Sequence, residues 1–152
     1  LQENHGPWYY EMQVLGFNYR ISDILCALGA SQMKRIGQNI ERRREIAARY
    51  DREFAGLSFS LPHVPATVRH GYHLYVIQSD RRDQLYAFLR ERNIFPQVHY
   101  IPIHTMPYYR EIYGEQKLPI AEHYYAQALS LPMYHSLSEA DQDYVIQTLK
   151  SF

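Results

Sequence analysis

The sequence predicts an α+β domain in which a small β-sheet packs against several helices. Tyr72-His73-Leu74-Tyr75-Val76-Ile77 and Gln97-Val98-His99-Tyr100-Ile101 read as strands. Between them Leu85, Phe88 and Leu89 recur at helical spacing. Strand, helix and strand therefore follow one another within about 30 residues, and helical patterns flank them on both sides. The chain has 152 residues, 46% of them apolar and 21% charged, which is enough apolar material for one packed core.

Residues 1 to 20 carry Gly6, Pro7 and Gly16 and show no clean period, so they read as an ordered loop. The chain opens Leu-Gln-Glu-Asn-His, with no initiator methionine, and passes at once into Pro7-Trp8-Tyr9-Tyr10. A chain cut from something longer is the expectation. Ser22 is the expected N-cap of a first helix carrying Ile24, Leu25, Leu28, Met33 and Ile36, with Gly37 as its stop. A second helix is expected from about Asn39 to Phe54, with Ile40, Ile46, Ala47, Tyr50 and Phe54 on its apolar face. Its Arg42-Arg43-Arg44 run is tempting as a phosphate patch. On an amphipathic helix it reads better as a solvated face with pairs such as Glu41–Arg44 and Glu45–Arg49.

A loop with Pro62 and Pro65 spans Gly56 to Arg69. Asp80 is expected to cap the helix of Leu85, Phe88 and Leu89, which ends at Asn93. Further helices are expected at about 118–129 and 138–151, the latter opened by Ser138-Glu139-Ala140-Asp141, a capping box with Asp in place of Glu or Gln.

Lys+Arg and Asp+Glu balance at 16 each, with a pI near 7.3, so no net field draws the chain to nucleic acid or anionic lipid. No apolar run approaches the roughly 20 residues of a membrane span, and no charged-then-apolar signal segment opens the chain. The single cysteine, Cys26, excludes an internal disulfide, and its setting Ile-Leu-Cys-Ala-Leu looks like the buried side of a helix. A reducing cytoplasm fits that usage. Fifteen tyrosines, each an apolar ring with a hydroxyl to satisfy, point to an interface or a polar ligand pocket.

The eight histidines, at 5, 63, 70, 73, 99, 104, 123 and 135, form no zinc pattern, and no metal site is expected. His99 and His104 flank Tyr100-Ile101-Pro102-Ile103, where a strand runs into a loop and binding groups concentrate. Two histidines bonded within a core or interface would give the same spacing. Lys34, Lys117 and Lys150 lack the setting of a Schiff-base lysine, and neither a Gly-rich phosphate loop nor a Gly-x-Ser-x-Gly elbow is present. Read from its own residues, this is a domain without a complete active site.

Gly16-Phe17-Asn18-Tyr19-Arg20-Ile21-Ser22-Asp23-Ile24 resembles the Gly-x-Asn-x-Arg-hydrophobic-(Ser/Thr)-(Asp/Glu) segment of the DegT/DnrJ/EryC1/StrS family of pyridoxal-phosphate-dependent sugar aminotransferases. The likeness continues through Arg42 to Tyr50, His73-Leu74-Tyr75, Gln97 to His104, Pro107-Tyr108-Tyr109 and Leu129 to Tyr134. It implies the small C-terminal domain of a fold-type I aminotransferase over 38–152. Residues 1–37 would then be a loop and helix at the end of the large-domain and dimer-interface region. The opening His5 to Gln13 is similar to the subgroup of pseudaminic acid biosynthesis, which implies transfer of an amino group from glutamate to C4 of a UDP-4-keto-6-deoxy-N-acetylhexosamine.

The family's Schiff-base lysine lies upstream of the Asn-x-Arg segment, in a Ser-x-x-His-x-x-Lys-type run that this chain lacks, so no catalytic residue is expected here and the chain alone would be inactive. The resemblance implies a homodimer in which Asn18 and Arg20 reach the neighbour's cofactor phosphate, chemistry that suits an amide and a guanidinium. It places Gln97, Val98, His99, Tyr100 and His104 beside the sugar nucleotide. A tyrosine-rich, non-catalytic interaction or dimerisation module is the competing reading, and a histidine-based metal enzyme a weaker third.

Overall fold

A computed structural model describes residues 16, 17 and 19–152. The chain divides at Arg35/Ile36 into two units. In the first, α1 (Asp23–Met33) starts as expected, with the Ser22 hydroxyl accepting from the Leu25 N–H at 3.5 Å. The described part of the expected 1–20 loop, residues 16, 17, 19 and 20, is irregular, and the rest lies outside the described residues. Cys26 is exposed, contrary to the buried setting its neighbours implied. The apolar spacing of α1 is real, but none of its residues is buried. The helix also ends earlier than expected, at Met33, and Gly37 falls inside the next helix.

The second unit opens with α2 (Ile36–Phe54), whose Ile46, Ala47, Tyr50 and Phe54 share one buried face. Then come β1 (Tyr75–Gln78), α3 (Arg82–Arg90), a 3-10 turn (Ile103–Thr105), α4 (Pro107–Tyr113), α5 (Pro119–Gln127), β2 (Ala128–Leu131) and α6 (Glu139–Lys150). The strands pair antiparallel, Tyr75 opposite Leu131 and Gln78 opposite Ala128. Their inward side chains meet α2, α3 and α6 in one core around Tyr50, Ile77, Leu85, Leu129 and Ile146. Full burial of such a side chain contributes about 1.5–3 kcal/mol. This is the expected α+β arrangement of a small sheet against helices.

Several elements differ from expectation. The strand expected at 72–77 begins only at Tyr75, since Tyr72 holds a φ of 45° and the Tyr72 and His73 carbonyls accept from Arg43 at 2.9 and 3.1 Å. Gln97–Ile101 is no strand: Gln97 alone forms a bridge, to Ser130. The sheet partner is instead β2, where the sequence reads as the end of a helix; the helix stops at Gln127. Asp80 does not cap α3. The Ser79 hydroxyl takes the Arg81 N–H at 3.1 Å, while Asp80 accepts from Gln127. α3 finishes at a Schellman turn with Asn93 at φ 57°, the Ile94 N–H reaching the Leu89 carbonyl at 3.0 Å. At α6 the Ser138 hydroxyl accepts from the Asp141 N–H at 3.0 Å and donates to the Asp141 carboxylate at 2.6 Å.

The arginine run is neither a solvated face nor a phosphate patch. Arg43 donates to the carbonyls of Tyr72, His73 and Met133, Arg42 to that of Leu137 at 3.1 Å, and Arg44 to that of His70 at 3.0 Å. The pairing is also rearranged. Arg44–Glu41 forms at 3.2 Å, but Glu45 pairs with Arg42 at 3.0 Å and Arg49 with Asp143 of α6. A guanidinium presents five N–H donors in a fork, so these side chains satisfy carbonyls that the two short strands leave unpaired.

Candidate functional site

The segment from Gln97 to His104 is fixed to the second unit at three places. At its start the Gln97 N–H reaches the Ser130 carbonyl at 3.1 Å and the Ser130 N–H returns to the Gln97 carbonyl at 2.8 Å. Next, Nδ1 of His99 lies 2.8 Å from the Ser130 hydroxyl. Finally, Nε2 of His104 lies 2.9 Å from Oε1 of Glu122, an oxygen that also accepts the Leu118 N–H at 2.9 Å. Ser130 is 4% exposed, so the strand that anchors the segment is itself immobilised in the core.

Between these anchors the chain is displayed. Tyr100 is 73% exposed and the Gln97 side chain is exposed, whereas Val98 packs against the core. Two clefts border the segment. One, of about 360 Å³, is walled by Gln97, Val98, Ile101, Arg82, Tyr86 and Tyr125. The other, of about 780 Å³, is walled by Ile103, His104, Tyr109, Tyr113, Gln116 and Leu118. The His104 side chain is 10% exposed. Its hydrogen bond, followed by that of the Leu118 N–H, holds the Glu122 carboxyl below its ordinary value, so Glu122 is an ionised acceptor near neutral pH.

The structure therefore brings together Gln97, Val98, His99, Tyr100 and His104 along one pinned segment. Arg20 is exposed in the first unit, and Asn18 lies outside the described residues. Sequence reasoning missed Ser130, which sits in the misread helix end, and Glu122, whose tie to His104 spans 18 positions and leaves no local signal.

Arg20 is a suitable phosphate partner. Lys34 and Lys117 are exposed and Lys150 donates to Glu53 at 2.6 Å, so no lysine here has the desolvated setting of a Schiff-base amine. Among the described residues, no group of three or more His, Cys, Asp and Glu could hold a metal ion, and no helix is long and apolar enough to cross a membrane.

The same arrangement of helices and strands occurs in the aminotransferases of sugar biosynthesis. PseC of Helicobacter pylori, an aminotransferase involved in the biosynthesis of pseudaminic acid, superimposes with a TM-score of 0.82 at 29% identity, over 98% of this chain and 43% of that one. The model of the DegT/DnrJ/EryC1/StrS aminotransferase family matches residues 2–150, and the chain belongs to that family. It is 39% identical, over 97% of its length, to the spore coat polysaccharide biosynthesis protein SpsC of Bacillus subtilis strain 168. It is 36% identical, over 95% of its length, to the UDP-4-amino-4,6-dideoxy-N-acetyl-beta-L-altrosamine transaminase of Campylobacter jejuni serotype O:2. The chain spans 40% of the length of each of these two relatives.

Proposed function

We propose that this chain forms the small-domain part of a pyridoxal-phosphate-dependent nucleotide-sugar aminotransferase. Residues 97–104 face the sugar nucleotide. Glutamate supplies the amino group, and the acceptor is C4 of a UDP-4-keto-6-deoxy-N-acetylhexosamine in a pathway of the pseudaminic acid type. The enzyme acts as a cytoplasmic homodimer. In this reading 38–152 is the small C-terminal domain, while 1–37 belongs to the end of the large domain and the dimer interface, where Asn18 and Arg20 face the neighbour's cofactor phosphate. The reactive lysine comes from outside this chain, which is inactive alone.

The observation that carries the reading is the pinned segment itself. Its histidines are oriented by Ser130 and Glu122 before any ligand arrives, so orienting a bound sugar costs little further ordering. His99 keeps Nε2 and Tyr100 its hydroxyl for the sugar or its diphosphate, and Arg20 supplies a permanent positive charge for phosphate oxygens. The cofactor supplies the amine-carrying chemistry when bound, and these residues set which carbon faces it. Membership of the aminotransferase family leaves the competing interaction-module reading without support.

The test is amino transfer by the intact protein from glutamate to the UDP-4-keto sugar, followed by product mass. Arg20→Ala and His99→Ala should each raise KM for the nucleotide sugar about tenfold with the fold retained. No transfer by the intact wild type, or unchanged kinetics in both variants, would overturn the reading.

A further inference from the structure

A third cleft, of about 380 Å³, opens where the exits from α3 and β2 meet the first turns of α6. Its floor belongs to the core, since Ile94, Leu137 and Val145 are all buried. Its walls are Phe95, Tyr134 and Tyr144, which stay 56%, 44% and 52% exposed. Two of the walls are held in place. The Tyr144 hydroxyl donates to the Arg92 carbonyl at 3.1 Å, and the Arg90 guanidinium sits 4.4 Å from the Phe95 ring centroid. Arg90 itself does not line the cleft. The one charged side chain that does is Asp141, and no Lys, Arg or His joins it. One carboxylate oxygen of Asp141 accepts the Ser138 hydroxyl at 2.6 Å, and among the described residues no side chain donates to the other.

Aromatic faces are electron-rich, so three of them beside a lone carboxylate attract a cation and repel an anion. Hydrogen bonding decides which cation. A primary ammonium has three N–H donors to satisfy once it leaves water, whereas the cleft offers one open carboxylate oxygen among rings and aliphatic side chains. A fully methylated ammonium has no donor to strand. Its methyl groups cover apolar surface while its charge acts on the rings and the carboxylate through space. We infer that this cleft binds the quaternary ammonium group of a small molecule, seated against Phe95, Tyr134 and Tyr144 with Asp141 as its counter-charge. Arg90 has the ligand's sign, but its charge is engaged by Phe95 outside the cleft. The inference stands independently of the nucleotide-sugar reading above.

The test titrates choline into the intact protein and follows the ring resonances of Phe95, Tyr134 and Tyr144 by NMR. Two comparators separate the contributions: the neutral carbon isostere of choline, in which a quaternary carbon replaces the nitrogen, and ethanolamine, which keeps the charge and lacks the methyl groups. Choline should shift all three rings saturably, and each comparator should bind about tenfold more weakly. Tyr144→Leu should weaken choline about tenfold as well. Asp141→Asn, which keeps an acceptor for the Ser138 hydroxyl, should weaken choline about fivefold and leave the neutral isostere unchanged.

Equal binding of choline and its neutral isostere would overturn the inference, because an apolar groove alone would then account for it. Tighter binding of ethanolamine than of choline, or no saturable shift at the three rings, would overturn it too. Circular dichroism of each variant identifies any that fails to fold, and the wild-type comparison of choline with its isostere then decides alone.

Discussion

Tyr50 and Tyr75 are fully buried at the centre of the core, their ring centroids 5.0 Å apart. The Tyr50 hydroxyl donates to the Pro132 carbonyl at 3.1 Å and that of Tyr75 to Asp51 at 2.6 Å. Burial pushes both phenols far above their ordinary value of 10.0, helped at Tyr50 by Tyr134 and at Tyr75 by the bond to Asp51. Below pH 10 both states keep these protons. Above it the unfolded chain releases them and the folded chain does not, so stability falls by about 1.4 kcal/mol per pH unit for each tyrosine. Urea unfolding between about pH 9 and pH 11 should show that slope, made shallower by Tyr75→Phe. The same variant should cost about 1–2 kcal/mol at neutral pH through the lost bond to Asp51. Glu122 has the opposite sign. Its carboxyl is held below 4.5 by His104 and then Leu118, so its contribution is complete above that value and is lost as acid takes the pH below it, which releasing His104 in an NMR titration should report. At this scale the sequence exposed its histidines clearly but not their partners. Ser130 lies 31 positions from His99, and a pairing that only the folded chain creates has no period to read.

The core strand β2 is buried at all four positions. A strand covered on both faces loses the alternation that marks it in sequence, and Ala-Leu-Ser-Leu following a helical pattern reads as more helix. Gln97–Ile101 is the reverse case: it alternates well, but only Gln97 forms a backbone bridge to the sheet, and the chain then leaves it for the site. α2 and the capped start of α6 were legible because amphipathic spacing and a serine cap are local signals. Leu129→Ala, which opens a cavity between the strand pair and the helices, should cost about 2–5 kcal/mol in denaturant unfolding. Ser138→Ala should cost about 1 kcal/mol by removing the bond to the Asp141 N–H.

Across the second unit, stability should be uneven. α2, α3, α6 and both strands contribute to one core, whereas α4 and α5 have no buried residue. Native-state hydrogen exchange should therefore find the amides of α4 and α5 opening well before those of α2 and α6; uniform protection would refute this. Arg43 ties the approach to β1, through Tyr72 and His73, to the exit from β2, through Met133. Substituting Lys cannot reproduce a guanidinium reaching three carbonyls, so Arg43→Lys should lower the unfolding midpoint almost as much as Arg43→Ala. On the function proposed above, an Arg43 variant of the intact protein would thus lose yield in cells and be scored as inactive, while its purified, chilled remainder would keep an ordinary KM. A basic triplet that invites assignment to phosphate would register in a screen as an active-site lesion while being a defect of protein supply.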